Sequence, residues 1–122
     1  MKLRETYATS GTRIGLRFFA GPSLPDSLAE ETDIIATAYA TGVPMGGTVT
    51  DSAKQMKIFV AASRDPLSAP LQRVQIIKDW VENGEAMGTV IDIGCSDDQS
   101  PIDGRSPDNG ARVDLSNCAY SE

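Results

Sequence analysis

The sequence predicts a mainly β fold, either an antiparallel β-sandwich-like arrangement or a curled sheet with long loops, and three observations carry that expectation. Apolar and polar residues alternate from Thr12 to Ala20, the period of a strand with one solvated face. Asn83-Gly84 stands between two β-rich runs, and tight hairpin turns favour this pair because both central residues take positive φ. The 11 glycines and 7 prolines divide the chain into short apolar runs with little helical spacing between them.

Residues 1–10 read as the tail of an upstream helix or linker, closed by Ser10-Gly11, and residues 11–122 as one β-rich domain. In the first strand Ile14, Leu16 and Phe18 share a face, with Arg13, Gly15 and Arg17 opposite. Gly21 to Asp26 makes a turn, and the acidic stretch from Ser27 to Asp33 has room for a short helical turn. Ile34 to Tyr39 is read as a second strand. Gly46-Gly47 permits left-handed or closely approached backbone. Asp51 to Lys57 is an exposed loop. Met56 to Ala62 is apolar on both parities and is expected to be central or covered. Leu71 to Trp80 and Met87 to Gly94 flank the Asn83-Gly84 turn. A polar loop runs from Ser96 to Gly110, and Ala111 to Leu115 is a short last strand.

Composition excludes several functions. With 11 basic and 17 acidic side chains the net charge is −6, which disfavours binding to phosphate backbones or anionic membranes. No apolar run reaches the length of a membrane span. The chain has no histidine, so Ser-His-Asp and Cys-His catalysis and histidine-ligated zinc are impossible within it. Two cysteines cannot build a four-thiolate site. Cys95 and Cys118 are either one disulfide or two free thiols.

Few motifs carry chemistry. Gly11 to Gly15 lacks the Lys-Ser/Thr pair of a phosphate loop. Asp97, Asp98, Asp103 and Asp108 would suit a hard cation, but their spacing fits no calcium loop, and a solvated acidic loop is the favoured reading. Trp80 and Tyr39 are candidates for a sugar-binding face, with packing over a sheet preferred for Trp80. Arg13, Arg17 and Arg73 could pair across strands or receive a carboxylate or phosphate.

Several segments together are distinctive: Arg4 to Ile14, Arg17 to Gly21, Tyr39 to Gly47, Arg64-Asp65-Pro66, Ala69 to Trp80, Cys95-Ser96-Asp97, and Asp108 to Leu115 followed by Cys118. In this order they resemble the DUF3604 family, which is related to metal-dependent hydrolases of the polymerase and histidinol phosphatase type. The resemblance implies a longer parent protein whose distorted β/α barrel precedes this stretch and carries histidine and aspartate metal ligands. None of those ligands can be placed on this chain. The resemblance strengthens the Cys95–Cys118 disulfide and implies a parent exported to the periplasm or cell surface. Relatives often carry acidic residues after the Gly46-Gly47 pair, where this chain has Thr48.

The expected function is therefore a non-catalytic accessory domain of a larger metal-dependent hydrolase, supporting the barrel or bordering its active site. The barrel of the same parent is the expected partner, with no nucleic acid and no membrane span. No cofactor is expected in this chain, and a divalent metal is assigned to the parent. Arg73, Trp80, Pro44, Gly46 and Gly47 are the residues expected at an interdomain or substrate-side contact. The competing classes are a free-standing carbohydrate- or ligand-binding module, which needs exposed aromatic rings with polar neighbours, and a purely structural interaction domain.

Overall fold

A computed structural model describes residues 4–50, 55–96 and 99–119. It is mainly β, with antiparallel sheets and no closed barrel. The chain divides into two compact units, Met1–Asp65 and Pro66–Glu122.

In the first unit β1 (Gly15–Gly21) leads through a 3-10 turn (Leu28–Glu30) to the helix α1 (Ile34–Thr41). Then come the two-residue strand β2 (Val43–Pro44) and β3 (Lys57–Ser63). The sheet order is β2-β1-β3, and both pairings are antiparallel. β1 pairs with β3 from Gly15–Ser63 to Gly21–Lys57 without a break.

Three expectations change here. Ile34 to Tyr39 is helix, not strand. Its apolar residues occupy both parities, so alternation cannot separate the two forms, and capping decides. Asp33 Oδ1 accepts the Ala36 amide at 3.1 Å, and the Gly42 amide closes the other end on the Ala38 carbonyl at 2.9 Å. Three alanines lower the conformational cost, and the helix is held by burying Ala38. Second, of the two settings expected for Met56 to Ala62, central or covered, the first does not hold: β3 is an edge strand, because β2 pairs on the far side of β1, while Phe59 packs against the core. Third, of the helix or linker read over residues 1–10, the described residues 4–9 form no helix. They are irregular chain, with Arg4 at φ 52°.

The core of this unit is Phe19, Leu24, Leu28 and Ala38, with Ile34 and Phe59 packed against it. Phe19 is only 1% exposed, yet it shares the β1 parity of Arg17, the face expected to be wet. Alternation locates a strand but not its covered face: α1 lies over Phe19, while Leu16 and Phe18 are half-buried. Lys57 fastens the β1–α1 connection to β3. Its Nζ donates to the Leu24 carbonyl at 3.0 Å and pairs with Asp26 at 2.8 Å. The Arg13 amide donates to Asp65 Oδ2 at 3.0 Å, tying the start of β1 to the exit of β3.

The second unit is built on the hairpin of β4 (Arg73–Glu82) and β5 (Glu85–Cys95). Asn83 and Gly84 take φ of 53° and 85°, the two positive values a type I′ turn requires. A bulge between Val74 and Gln75 shifts the register at the open end. The polar loop then folds back on β5. The Asp92 amide donates to the Gly104 carbonyl at 2.8 Å, and Ile102 bridges Arg105. Where a short last strand is expected at 111–115, Val113 alone among these residues is in a β-bridge and a turn follows at 115–117, in which Asp114 accepts the Ser116 amide and hydroxyl and its carbonyl accepts the Cys118 amide. Of the polar loops read from sequence, residues 51–54 and 97–98 lie outside the described residues.

Phe19→Ala should cost about 3–5 kcal/mol of unfolding free energy, the range for emptying a buried phenylalanine site. Chemical denaturation followed by amide signals from the first unit measures it. A loss below about 1 kcal/mol would show that α1 does not rest on Phe19.

Candidate functional site

Two features stand out, one in each unit. The first is a cleft of ≈ 450 Å³ in the first unit, with β1 and β3 along it and Glu5, Tyr7 and Tyr39 among its walls. Tyr39 is set by two contacts. Its ring meets Phe19 edge-on, with centroids 4.9 Å apart and planes at 85°. Its hydroxyl donates to Glu5 Oε2 at 2.5 Å. That hydrogen bond, partial burial and the Glu5 charge raise the phenol above its ordinary pKa, with Arg17 acting in the opposite direction. Tyr39 is therefore a neutral donor at physiological pH.

Pro44 also lines this cleft. The chain leaves β2 through a tight turn in which the Gly47 amide donates to the Pro44 carbonyl at 3.1 Å, while Met45 donates to Phe18 at 3.0 Å. Gly46 has φ 79°, and a side chain there would collide with the Arg4 carbonyl. The close approach read from Gly46-Gly47 is thus made by the chain itself, Arg4 against Gly46 and Val43 against Gly47. Pro44 borders the cleft, and Gly46 shapes the turn beside it.

The second feature is the β4–β5 hairpin. Ile77, paired with Val90, is 71% exposed, and Val81 on the same face is 74% exposed. The opposite face presents Trp80 beside Met87, with the Lys78 ammonium 5.1 Å from the Trp80 ring centroid. Arg73 is exposed at the other end of β4, opposite Cys95. Of the five residues expected at an interdomain or substrate-side contact, Pro44, Gly46 and Gly47 belong to the first unit and Arg73 and Trp80 to the second.

Beneath the open end of the hairpin lies Asp92, 6% exposed, the buried charged residue among the described side chains. Its carboxylate accepts the Ser106 amide and Gln75 Nε2, both at 2.6 Å. These bonds, the Ser106 amide foremost, hold its pKa below the usual carboxylate value against the opposing effect of burial, and Arg73 adds a small attraction. Cys95 Sγ contacts Ser106 Oγ at 2.8 Å, and Cys118 is exposed; both thiols are free.

Of the four loop acids read as a possible cation site, Asp97 and Asp98 lie outside the described residues. Asp108 accepts the Gly110 amide and pairs with Arg112, and Asp114 accepts from Ser116. Both are held below the usual carboxylate pKa, Asp108 first by Gly110 and Asp114 first by the Ser116 hydroxyl. Among the described residues no group of three or more His, Cys, Asp or Glu side chains could hold a metal ion. No helix among them is long and apolar enough to cross a membrane.

A family model described as "Protein of unknown function (DUF3604)" matches residues 1–122. The chain belongs to the DUF3604 family. No curated protein and no solved structure matches it. Within this DUF3604 chain the residues that sequence reasoning missed are Glu5, Tyr7 and Asp92. Glu5 and Tyr7 lie in the stretch read as the tail of an upstream helix or linker. Asp92 occupies an alternating strand position, where burial of an acid has no local signal.

Two outcomes follow from the second unit. Asp92 has a lowered folded pKa, so its stabilisation is present above the ordinary carboxylate pKa of about 4 and is lost as pH falls through the folded value. Amide protection factors at Asp92 and Ser106, corrected for the intrinsic exchange rate, should therefore fall below about pH 4, and Asp92→Asn should remove that acid dependence. An unchanged profile in Asp92→Asn would detach the effect from this carboxylate. Thiol titration of the unreduced protein should find two reactive groups, Cys118 ahead of the half-buried Cys95. Finding none would mean a disulfide.

Proposed function

We infer that this DUF3604 chain is a non-catalytic accessory region of a larger metal-dependent hydrolase, and that its β4–β5 hairpin packs against the catalytic barrel. The observation that carries this reading is the apolar surface of the hairpin, with Ile77 and Val81 open to solvent on one face and Trp80 and Met87 on the other. A two-stranded hairpin is marginal in water unless a further layer covers it. Exposed apolar side chains grouped in this way mark an interface.

The chemistry of the chain supports the same division of labour. It contains no histidine, and its buried carboxylate is committed to Ser106 and Gln75. In this reading the divalent metal and its ligands belong to the barrel, and the hydrolytic reaction takes place there. The relation to polymerase and histidinol phosphatase type hydrolases rests on the resemblance of the segments described above. It sets the class of reaction, hydrolysis of a phosphoester or amide-like bond.

The test is the mass of the endogenous protein, detected with peptides or an antibody against residues 71–80. A product several times heavier than 13.0 kDa, with histidine-rich peptides upstream, is expected. In that product Ile77→Lys combined with Val81→Lys should expose the hairpin and speed its proteolysis about tenfold. A native product of about 13.0 kDa would overturn the accessory reading.

A further inference from the structure

We propose that the cleft of the first unit binds a neutral saccharide, a mono- or disaccharide, seated on the exposed tyrosine rings and read through its hydroxyls by Glu5, Tyr39 and Arg17. This site lies wholly in the first unit and does not depend on the hairpin's role.

Size comes first. A volume of ≈ 450 Å³ falls within the range of small-molecule sites. The lining is mixed in the way a sugar requires. A sugar ring has an apolar C–H face and a rim of hydroxyls, each both donor and acceptor. Tyr7, 50% exposed, and the exposed Tyr39 ring supply flat apolar area with little side-chain freedom to lose. Pro44 extends the apolar wall.

The polar groups are complementary to adjacent hydroxyls. Glu5 is an acceptor only, Arg17 a donor only, and the Tyr39 hydroxyl can do both. Tyr39 already donates to Glu5, and Arg17 acts on the same phenol, so the three form one connected set. Charge narrows the ligand class. The Arg17 guanidinium and the Glu5 carboxylate offset one another within the cleft, and the chain as a whole carries −6. An anion gains little from Arg17 beside Glu5, and a cation meets Arg17, so a neutral polyol is favoured.

The set is also preorganised. Phe19 fixes the Tyr39 ring edge-on, and Phe19 is locked in the core. The chain that carries Glu5 and Tyr7 is held against Gly46, where only a glycine leaves room for the Arg4 carbonyl. Little reorganisation is needed when a ligand enters.

The experiment titrates the full 122-residue chain with glucose, galactose, maltose and cellobiose, with benzoate and inorganic phosphate alongside, by saturation-transfer NMR and calorimetry. At least one saccharide should bind saturably, with a dissociation constant of about 1 mM or below. Glu5→Gln and Tyr7→Ala should each weaken it about tenfold while circular dichroism stays unchanged. Should either variant fail to fold, Arg17→Met takes its place with the same expectation. The proposal is overturned if no saccharide saturates the protein, if benzoate or phosphate binds in preference, or if the folded variants bind as the parent does.

Discussion

The contact between Phe19 and α1 is the constraint on which the first unit rests. A three-stranded sheet with one two-residue edge strand has little cohesion of its own. Burying Phe19 under a helix gives that sheet a second layer, and the helix, only eight residues long, gains the tertiary support that short helices need. The same ring orients Tyr39, so the packing that stabilises the fold also sets the geometry of the cleft. Core and candidate site are therefore coupled: a substitution that tilts α1 moves the polar set of Glu5, Tyr39 and Arg17 with it.

The second unit is organised differently. Its buried side chain, among the described residues, is the Asp92 carboxylate; Leu71, Val74 and Ile76 are half-buried, and Ile77, Val81 and Val90 are exposed. Asp92 draws together β4 through Gln75 and the returning loop through Ser106, while its own amide pairs with Gly104. A carboxylate satisfied by short hydrogen bonds gives register and specificity, but it contributes less stability than an apolar core of the same size. This explains why the hairpin can be well defined in geometry and still present Ile77, Val81 and Trp80 to solvent.

What the sequence made legible follows from range. Asn83-Gly84 specified its hairpin because the φ requirement is local and only a few residues meet it. A second such signal went unread: Asp103-Gly104, at φ 51° and 73°, turns the chain between Ile102 and Arg105 and returns it to β5. Asn109-Gly110 looks equivalent but only forms a side-chain turn on Asp108, since no pairing runs flank it. The Ile34 to Tyr39 run failed for the opposite reason. Its β-branched and aromatic residues favour a strand, and only the Asp33 cap and a covering sheet made it helix. Tyr39 and Arg17 could be suspected singly, but their meeting with Glu5 depends on a contact across 34 positions that no spacing rule contains.

The division between the two units bears on where function resides. A binding site needs groups held in place before the ligand arrives, and the first unit supplies this with a locked core beneath the cleft. An interface needs apolar surface and tolerance of repacking, and the hairpin supplies that with side chains unconstrained by a core of their own. Selection for ligand recognition would act on Glu5, Tyr7, Arg17 and Tyr39. Selection for docking would act on the volume and polarity of Ile77, Val81, Trp80 and Met87, with little regard to their identity. The bulge at Val74/Gln75 fits this split: it bends the base of the hairpin where Asp92 is anchored and leaves the regular, unbulged part of both strands to the apolar residues.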